Sequence, residues 1–260
     1  MAQHTSAYWR SGIWLAIGFV LLVLYLPLVP PLFFSFVPEV PGDAGPTLRW
    51  YAEMWRNPLL TGAMWTSLEA GVIVGVVTPV LALAAAMAIR ELRAARLILL
   101  VMLLPLFIPG VSMGLATAFF FRIAGIPPSL LTIAIVQILW ALPFATLVLL
   151  TAMSTFDPVY LEAAYMSGAN RLRAFRDIEL PLIWPGISGA ATFSLILSFN
   201  ETIRTSVVQG PLNTVQTYIW STYKQVGLSP TLYALMTLLT LLTLVLVAAF
   251  LVRGPGEPAT

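Results

Sequence analysis

Cysteine is absent from this 260-residue chain, so disulfides and thiolate metal centres are excluded, and no metal site is expected. Histidine occurs once, as His4 near the N-terminus, and lysine once, as Lys224. A serine nucleophile needs a base beside it, and His4 is badly placed to serve one inside an apolar bundle. A phosphate-cradling G-x-x-x-x-G-K-[ST] loop is excluded too, because Gln225 follows the one lysine. If ATP drives this protein, another chain binds it. Charge of either sign is scarce: 9% of the residues are charged, against about 25% in soluble domains. So few charges cannot cover a water-facing surface. The net charge of +2 comes from scattered bases without a basic stripe, which gives nucleic acid no footing.

What is present is apolar residue, 59% of the chain. The apolar runs are continuous rather than alternating, so helices and not a β-barrel are expected to carry them through lipid. Six runs reach the roughly 20 residues that a span needs: 12–36, 62–89, 97–121, 129–153, 182–208 and 231–252. The chain reads as an all-α integral membrane protein of six transmembrane helices, one membrane domain over 12–252 with tails 1–11 and 253–260. The first run exceeds the roughly 7–15 residues of a signal-peptide core and lacks a small-residue cleavage site after it, so it is expected to stay as a span.

Arginine placement orients the spans. With both termini in the cytoplasm, the inner loops hold Arg10, Arg90, Arg93, Arg96, Arg171, Arg173, Arg176 and Arg253, while the outer loops hold Arg49, Arg56, Arg122 and Lys224. The opposite orientation reverses that ratio. Pro27, Pro30 and Pro31 break the outer end of the first span, and Pro79, Pro105, Pro109, Pro143 and Pro185 sit in or beside the others. Gly71/Gly75 and Gly110/Gly114 have the small-xxx-small spacing that lets helices approach closely. Gly210-Pro211 marks a turn, and 217–225 a short surface helix, in the outer segment before the last span. Two serine motifs, Gly110-Val111-Ser112-Met113-Gly114 and Gly186-Ile187-Ser188-Gly189, mimic hydrolase signatures, but neither has a histidine partner in reach.

One polar stretch interrupts the apolar chain. Between the fourth and fifth spans lie Glu162, Arg171, Arg173, Arg176, Asp177 and Glu179. Asp157 and Pro158 are set to start a short helix, and Gly168 to end it in the left-handed conformation. Asn170 can cap a second helix running to Glu179, with Leu172, Phe175 and Ile178 on one apolar face, and Pro181 and Pro185 bending the chain into the fifth span. Ala163 and Ala164 leave a smooth tip that can enter a groove on another protein.

Glu162-Ala163-Ala164, Gly168-Ala169, Phe175, Ile178, Leu180-Pro181 and Pro185-Gly186 resemble the EAA loop of ABC importer permeases, the membrane subunits of binding-protein-dependent importers. The best fit is the subgroup of spermidine/putrescine permeases. Met166-Ser167 departs mildly from the usual residues before the glycine. The resemblance implies a non-enzymatic permease of the bacterial inner membrane, with a coupling loop over 157–181. It implies a pathway shared with a second permease subunit, two ATPase subunits that bind ATP and Mg, and an extracytoplasmic binding protein. It implies no cofactor on this chain. Carried onto this sequence, Glu162, Ala163, Ala164, Tyr165, Gly168, Ala169, Arg171 and Phe175 are the positions that couple to the ATPase.

Charges inside spans are candidates for the pathway. Glu69 lies in the second run; Asn200, Glu201 and Arg204 lie toward the outer end of the fifth. Two acids favour a small organic cation such as a polyamine. Arg204, three residues after Glu201, can pair with it on one helix face or greet an anionic or zwitterionic solute such as a phosphonate or an amino-acid-like compound. A self-contained secondary transporter and a channel or assembly scaffold are the rival readings, and neither has a use for a motor-docking loop.

Overall fold

A computed structural model describes residues 7–38, 45–92 and 95–252; His4, Arg93, Arg253 and the expected C-terminal tail lie outside them. Among the described residues all regular structure is helical. The chain divides into two compact units, Met1–Asn57 with Gln225–Thr260, and Pro58–Lys224.

The first unit holds α1 (Ala7–Tyr25), a 3-10 turn (Leu26–Leu28), α2 (Val29–Phe34), α3 (Arg49–Arg56) and α13 (Pro230–Val252). The prolines expected to break the first span do so, giving the 3-10 turn at Pro27 and the short α2 that contains Pro30 and Pro31. α13 packs on α2 and α3. The indole of Trp50 on α3 donates to the Val37 carbonyl at 2.9 Å, and the Phe34 and Tyr233 rings lie 5.4 Å apart.

The second unit is built on three long helices: α4 (Pro58–Glu91), α7 (Leu130–Ser154) and α10 (Leu180–Asn200). At 1.5 Å per residue α4 is about 51 Å long, more than the roughly 30 Å hydrocarbon layer. Its core seam is small on one side and branched on the other. Ala82 and Ala86 of α4 meet Ala145, Leu149 and Met153 of α7 and Ile183 and Ala190 of α10. A side chain on Gly186 would collide with Ala152, so α10 touches α7 at that glycine. Lipid offers no hydrophobic drive between helices; close approach over small residues supplies van der Waals contact instead. Both small-xxx-small pairs are used this way. A methyl on Gly71 would lie 3.0 Å from Leu195 of α10, and one on Gly114 would lie 3.1 Å from the Arg204 backbone.

Among the described residues four helical stretches are long and apolar enough to cross a membrane: Gly12–Phe34, Pro58–Glu91, Leu130–Ser154 and Arg171–Asn200. Three of the expected spans differ from the sequence reading, the sixth being the shorter apolar stretch Pro230–Val245 of α13. The third is bent by 104° between Ala95–Phe107 and Gly110–Ile123, which form α5 (Ala95–Leu103) with a 3-10 turn (Leu104–Phe107), and α6 (Gly110–Ile123). Ile108 is extended, ψ 126°, because the ring of Pro109 disfavours helix in the residue before it. The fifth span ends at Asn200 rather than at residue 208, and a short α11 (Ile203–Val208) follows. α11 packs on α6 and α7, and α12 (Val215–Val226) is tied to α4 where the Val215 amide donates to Ser67 Oγ at 2.8 Å.

Candidate functional site

The segment after α7 folds as two short helices. Asp157 Oδ1 accepts the Val159 amide at 3.0 Å, and the Pro158 carbonyl accepts Glu162 N–H at 3.1 Å, which starts α8 (Val159–Met166). Gly168 ends it with φ +82°, a left-handed geometry that glycine adopts without a Cβ penalty. The Ala169 amide returns to the Ala164 carbonyl at 3.0 Å. Asn170 Oδ1 then accepts the Arg173 amide at 2.9 Å and opens α9 (Arg171–Ala174). On α8, Glu162, Ala163 and Tyr165 are exposed and Ala164 is buried; Met166 at the tip is 90% exposed.

The second helix departs from expectation. A π turn (Phe175–Glu179) follows α9 and runs into α10 without a break, so Arg171–Asn200 is one helical stretch and no elbow at Pro181 separates loop from span. The wider i→i+5 turn also rotates the faces. Leu172 is 73% exposed rather than anchored, while Ala174 and Glu179 turn inward and Phe175 and Ile178 are half-buried.

Glu179 is 2% exposed and carries a charge, so it needs a partner. That partner is Arg90, at the end of α4. Their contact is bidentate, Nη1 with Oε1, and Nη2 with Oε2 at 3.3 Å. Arg171 pairs with Glu91, and Arg90 also lies 3.7 Å from Glu91. An open cleft of about 1100 Å³ lies beside these pairs, with Met87, Phe156, Tyr165 and Phe175 in its wall. Arg90 and Glu179 were not singled out from sequence, although an acid placed directly before Leu180-Pro181 was a visible signal.

The pathway candidates fall in two places. Glu69 is exposed on α4, on the strip that also exposes Trp65, Leu68, Val72 and Val76. Asn200 is exposed at the end of α10, its amide donating back to the Ile196 carbonyl at 2.8 Å. Glu201 and Arg204 are 5% and 8% exposed and pair with each other. Glu201 Oε1 accepts the Arg204 amide and Oε2 its Nη1, both at 2.7 Å. The carboxylate thus satisfies an amide in the first turn of α11, directly after the end of α10. The guanidinium stacks 3.7 Å from the Trp140 ring centre, and a methyl on Gly110 would lie 3.2 Å from its Cζ. Behind this pair runs a buried polar chain that sequence reasoning passed over. Ser198 Oγ donates to Gln137 Oε1 at 2.6 Å, and Gln137 Nε2 donates to Thr205 Oγ1 at 3.0 Å. Gln137 was legible as a polar residue in the apolar fourth run.

A bundle of long apolar helices, broken where prolines and an internal ion pair interrupt them and carrying a capped two-helix loop, defines a polytopic membrane permease. The model of the family described as "binding-protein-dependent transport system inner membrane component" matches residues 68–254, and the chain belongs to that family. It is 27% identical over 230 residues to the spermidine/putrescine transport system permease protein PotC of Escherichia coli (strain K12), covering 87% of each chain. It is 28% identical over 242 residues to the putrescine transport system permease protein PotI of the same strain, covering 89% of this chain and 85% of the relative. Its fold matches a chain in the crystal structure of a bacterial ABC transporter involved in the import of the acidic polysaccharide alginate, with a TM-score of 0.75, 13% identity, and 98% and 99% of the two chains covered. A second alginate transporter structure, in complex with an alginate pentasaccharide-bound periplasmic protein, matches at a TM-score of 0.65 with 19% identity.

Proposed function

We propose that this protein is one of two permease subunits of an ATP-driven importer, and that 157–181 is the loop on which an ATPase subunit docks. The observation that carries this reading is the pair of capped helices around Gly168, whose exposed tip presents Glu162, Ala163, Tyr165 and Met166 on a chain of the binding-protein-dependent family. The chain crosses the membrane six times, by Gly12–Phe34, α4, the bent pair α5–α6, α7, α10 and α13, with the loop and both termini in the cytoplasm. ATP and Mg are bound by the ATPase pair, solute is delivered by an extracytoplasmic binding protein, and the second permease is a related but different chain.

The cargo is a small organic cation of the polyamine class. The names of the two relatives support this, and so does Glu69. An ionised carboxylate facing hydrocarbon costs roughly 2.5–3.5 kcal/mol, so the exposed strip of α4 that carries it is covered by the partner permease or by the water of the pathway. Glu201 is already neutralised by Arg204, so Glu69, with Asn200, is the better candidate for meeting cargo. Proteoliposomes holding the whole complex test the proposal. Spermidine or putrescine uptake that requires ATP and the binding protein supports it. ATP-dependent uptake of a phosphonate or amino acid in preference to amines overturns the cargo. Uptake by this chain alone, driven by a proton or sodium gradient, replaces the importer reading with a secondary transporter.

A further inference from the structure

The loop's second helix is clamped to α4 at both ends. Arg171 in its first turn meets Glu91, and Glu179 at the end of the π turn meets Arg90. The two clamps differ in kind. Arg171 is largely exposed, and an exposed pair is screened and weak. Glu179 is buried and its carboxylate is held bidentately by Arg90, whose side chain is about one-third exposed, so the pair is shielded from water on the loop side. α8 packs on the same π turn, so a force on the loop tip reaches Glu179. The π turn itself is a defect in the helical ladder between α9 and α10. The loop thus reaches α10 through the backbone of the π turn and α4 through the Arg90–Glu179 side-chain pair.

We infer that the Arg90–Glu179 pair is the strut by which loop movement is passed to α4, the helix that carries Glu69. Arg90 and Glu179 are positioning residues: they touch neither solute nor, on this account, the ATPase. The inference rests on the docking role proposed for 157–181. It adds that α4 is driven through a side-chain link, and that breaking the link uncouples hydrolysis from transport without undocking the motor.

The test uses the reconstituted complex with Glu179→Gln, and with the exchange Arg90→Glu/Glu179→Arg. In Glu179→Gln the ATPase is expected to co-purify as before and basal hydrolysis to stay within about twofold, while solute moved per ATP falls about tenfold, inside the 5–150-fold range of site-to-site coupling. The charge exchange is expected to recover most of that loss, as partners in direct contact do. Unchanged transport per ATP in Glu179→Gln overturns the strut, and so does loss of the ATPase, which would make the pair part of the docking surface. If Glu179→Gln does not fold, the exchange variant decides alone: folded and coupled supports the strut, folded and uncoupled overturns it. Failure of the wild-type chain to hold an ATPase is a different result, and it overturns the docking proposal instead.

Discussion

Glu201 can be a ligand for cargo or the internal partner of Arg204, and replacing it separates the two. Glu201→Leu removes both carboxylate contacts and leaves a guanidinium with 8% exposure beside Trp140 and Gly110. Breaking a buried pair from one side costs about 3–5 kcal/mol. The lost cap on the Arg204 amide adds about 1 kcal/mol. Arg204→Met in the same chain removes the stranded charge, and an apolar replacement of a whole buried pair is often neutral. The double variant should therefore lie only about 1–2 kcal/mol below wild type, the cap being the part not restored. At about 2–4 °C per kcal/mol for a domain of this size, the single variant loses about 8–24 °C and the double about 2–8 °C. Thermal unfolding of the purified chain in detergent, followed by size exclusion, reads both. If Glu201→Leu unfolds with wild-type midpoint yet abolishes uptake by the complex, the pair is not a latch between α10 and α11, and Glu201 is a cargo ligand.

Three further outcomes follow from the same geometry. Gly168→Val places a β-branched residue at φ +82°, costing about 1–2 kcal/mol locally, and should weaken ATPase co-purification, whereas Gly168→Asn should keep most of it; equal retention by both variants speaks against a fixed turn. Gly186→Leu forces α10 off Ala152 of α7 and should cost about 1–3 kcal/mol or more, seen as a lower unfolding midpoint, with an unchanged midpoint contradicting the packing. Glu69→Gln should raise rather than lower the isolated chain's midpoint in detergent, since it removes a charge from an apolar-facing strip, but should cut amine uptake by the complex; unaltered uptake removes Glu69 from the pathway.

Local chemistry was legible in the sequence, and what failed to show was chemistry between distant residues. Gly168 and Asn170 announce a left-handed stop and a cap because each needs only its own few neighbours. Gly71, Gly75, Gly110 and Gly114 announce close helix contacts because spacing alone puts them on one face, though not which helix they meet. Pro105 and Pro109 marked a break in the third run, but its size of 104° is not a local property. The π turn was missed because helical periodicity was assumed through 171–179. The acid at its end pairs with Arg90, 89 residues away, a contact that local periodicity cannot show. The end of α10 was missed for a similar reason: 182–208 is apolar enough to continue, and the extended Glu201 backbone with its carboxylate on the Arg204 amide shows only in three dimensions. Within the apolar runs, composition located the acids but could not tell the paired Glu201 from the exposed Glu69.

If 157–181 docks a motor, the tip of α8 meets an ATPase in the membrane of the living cell. The chain has no cysteine, so Ala163→Cys, at an exposed position of that tip, gives a single attachment point for a short photoactivatable cross-linker without background. Cross-linking in native membranes followed by mass spectrometry of the adduct is the direct measurement. Peptides from a separate nucleotide-hydrolysing subunit are expected. Adducts only to lipid, to water or to a second copy of this chain would contradict that docking.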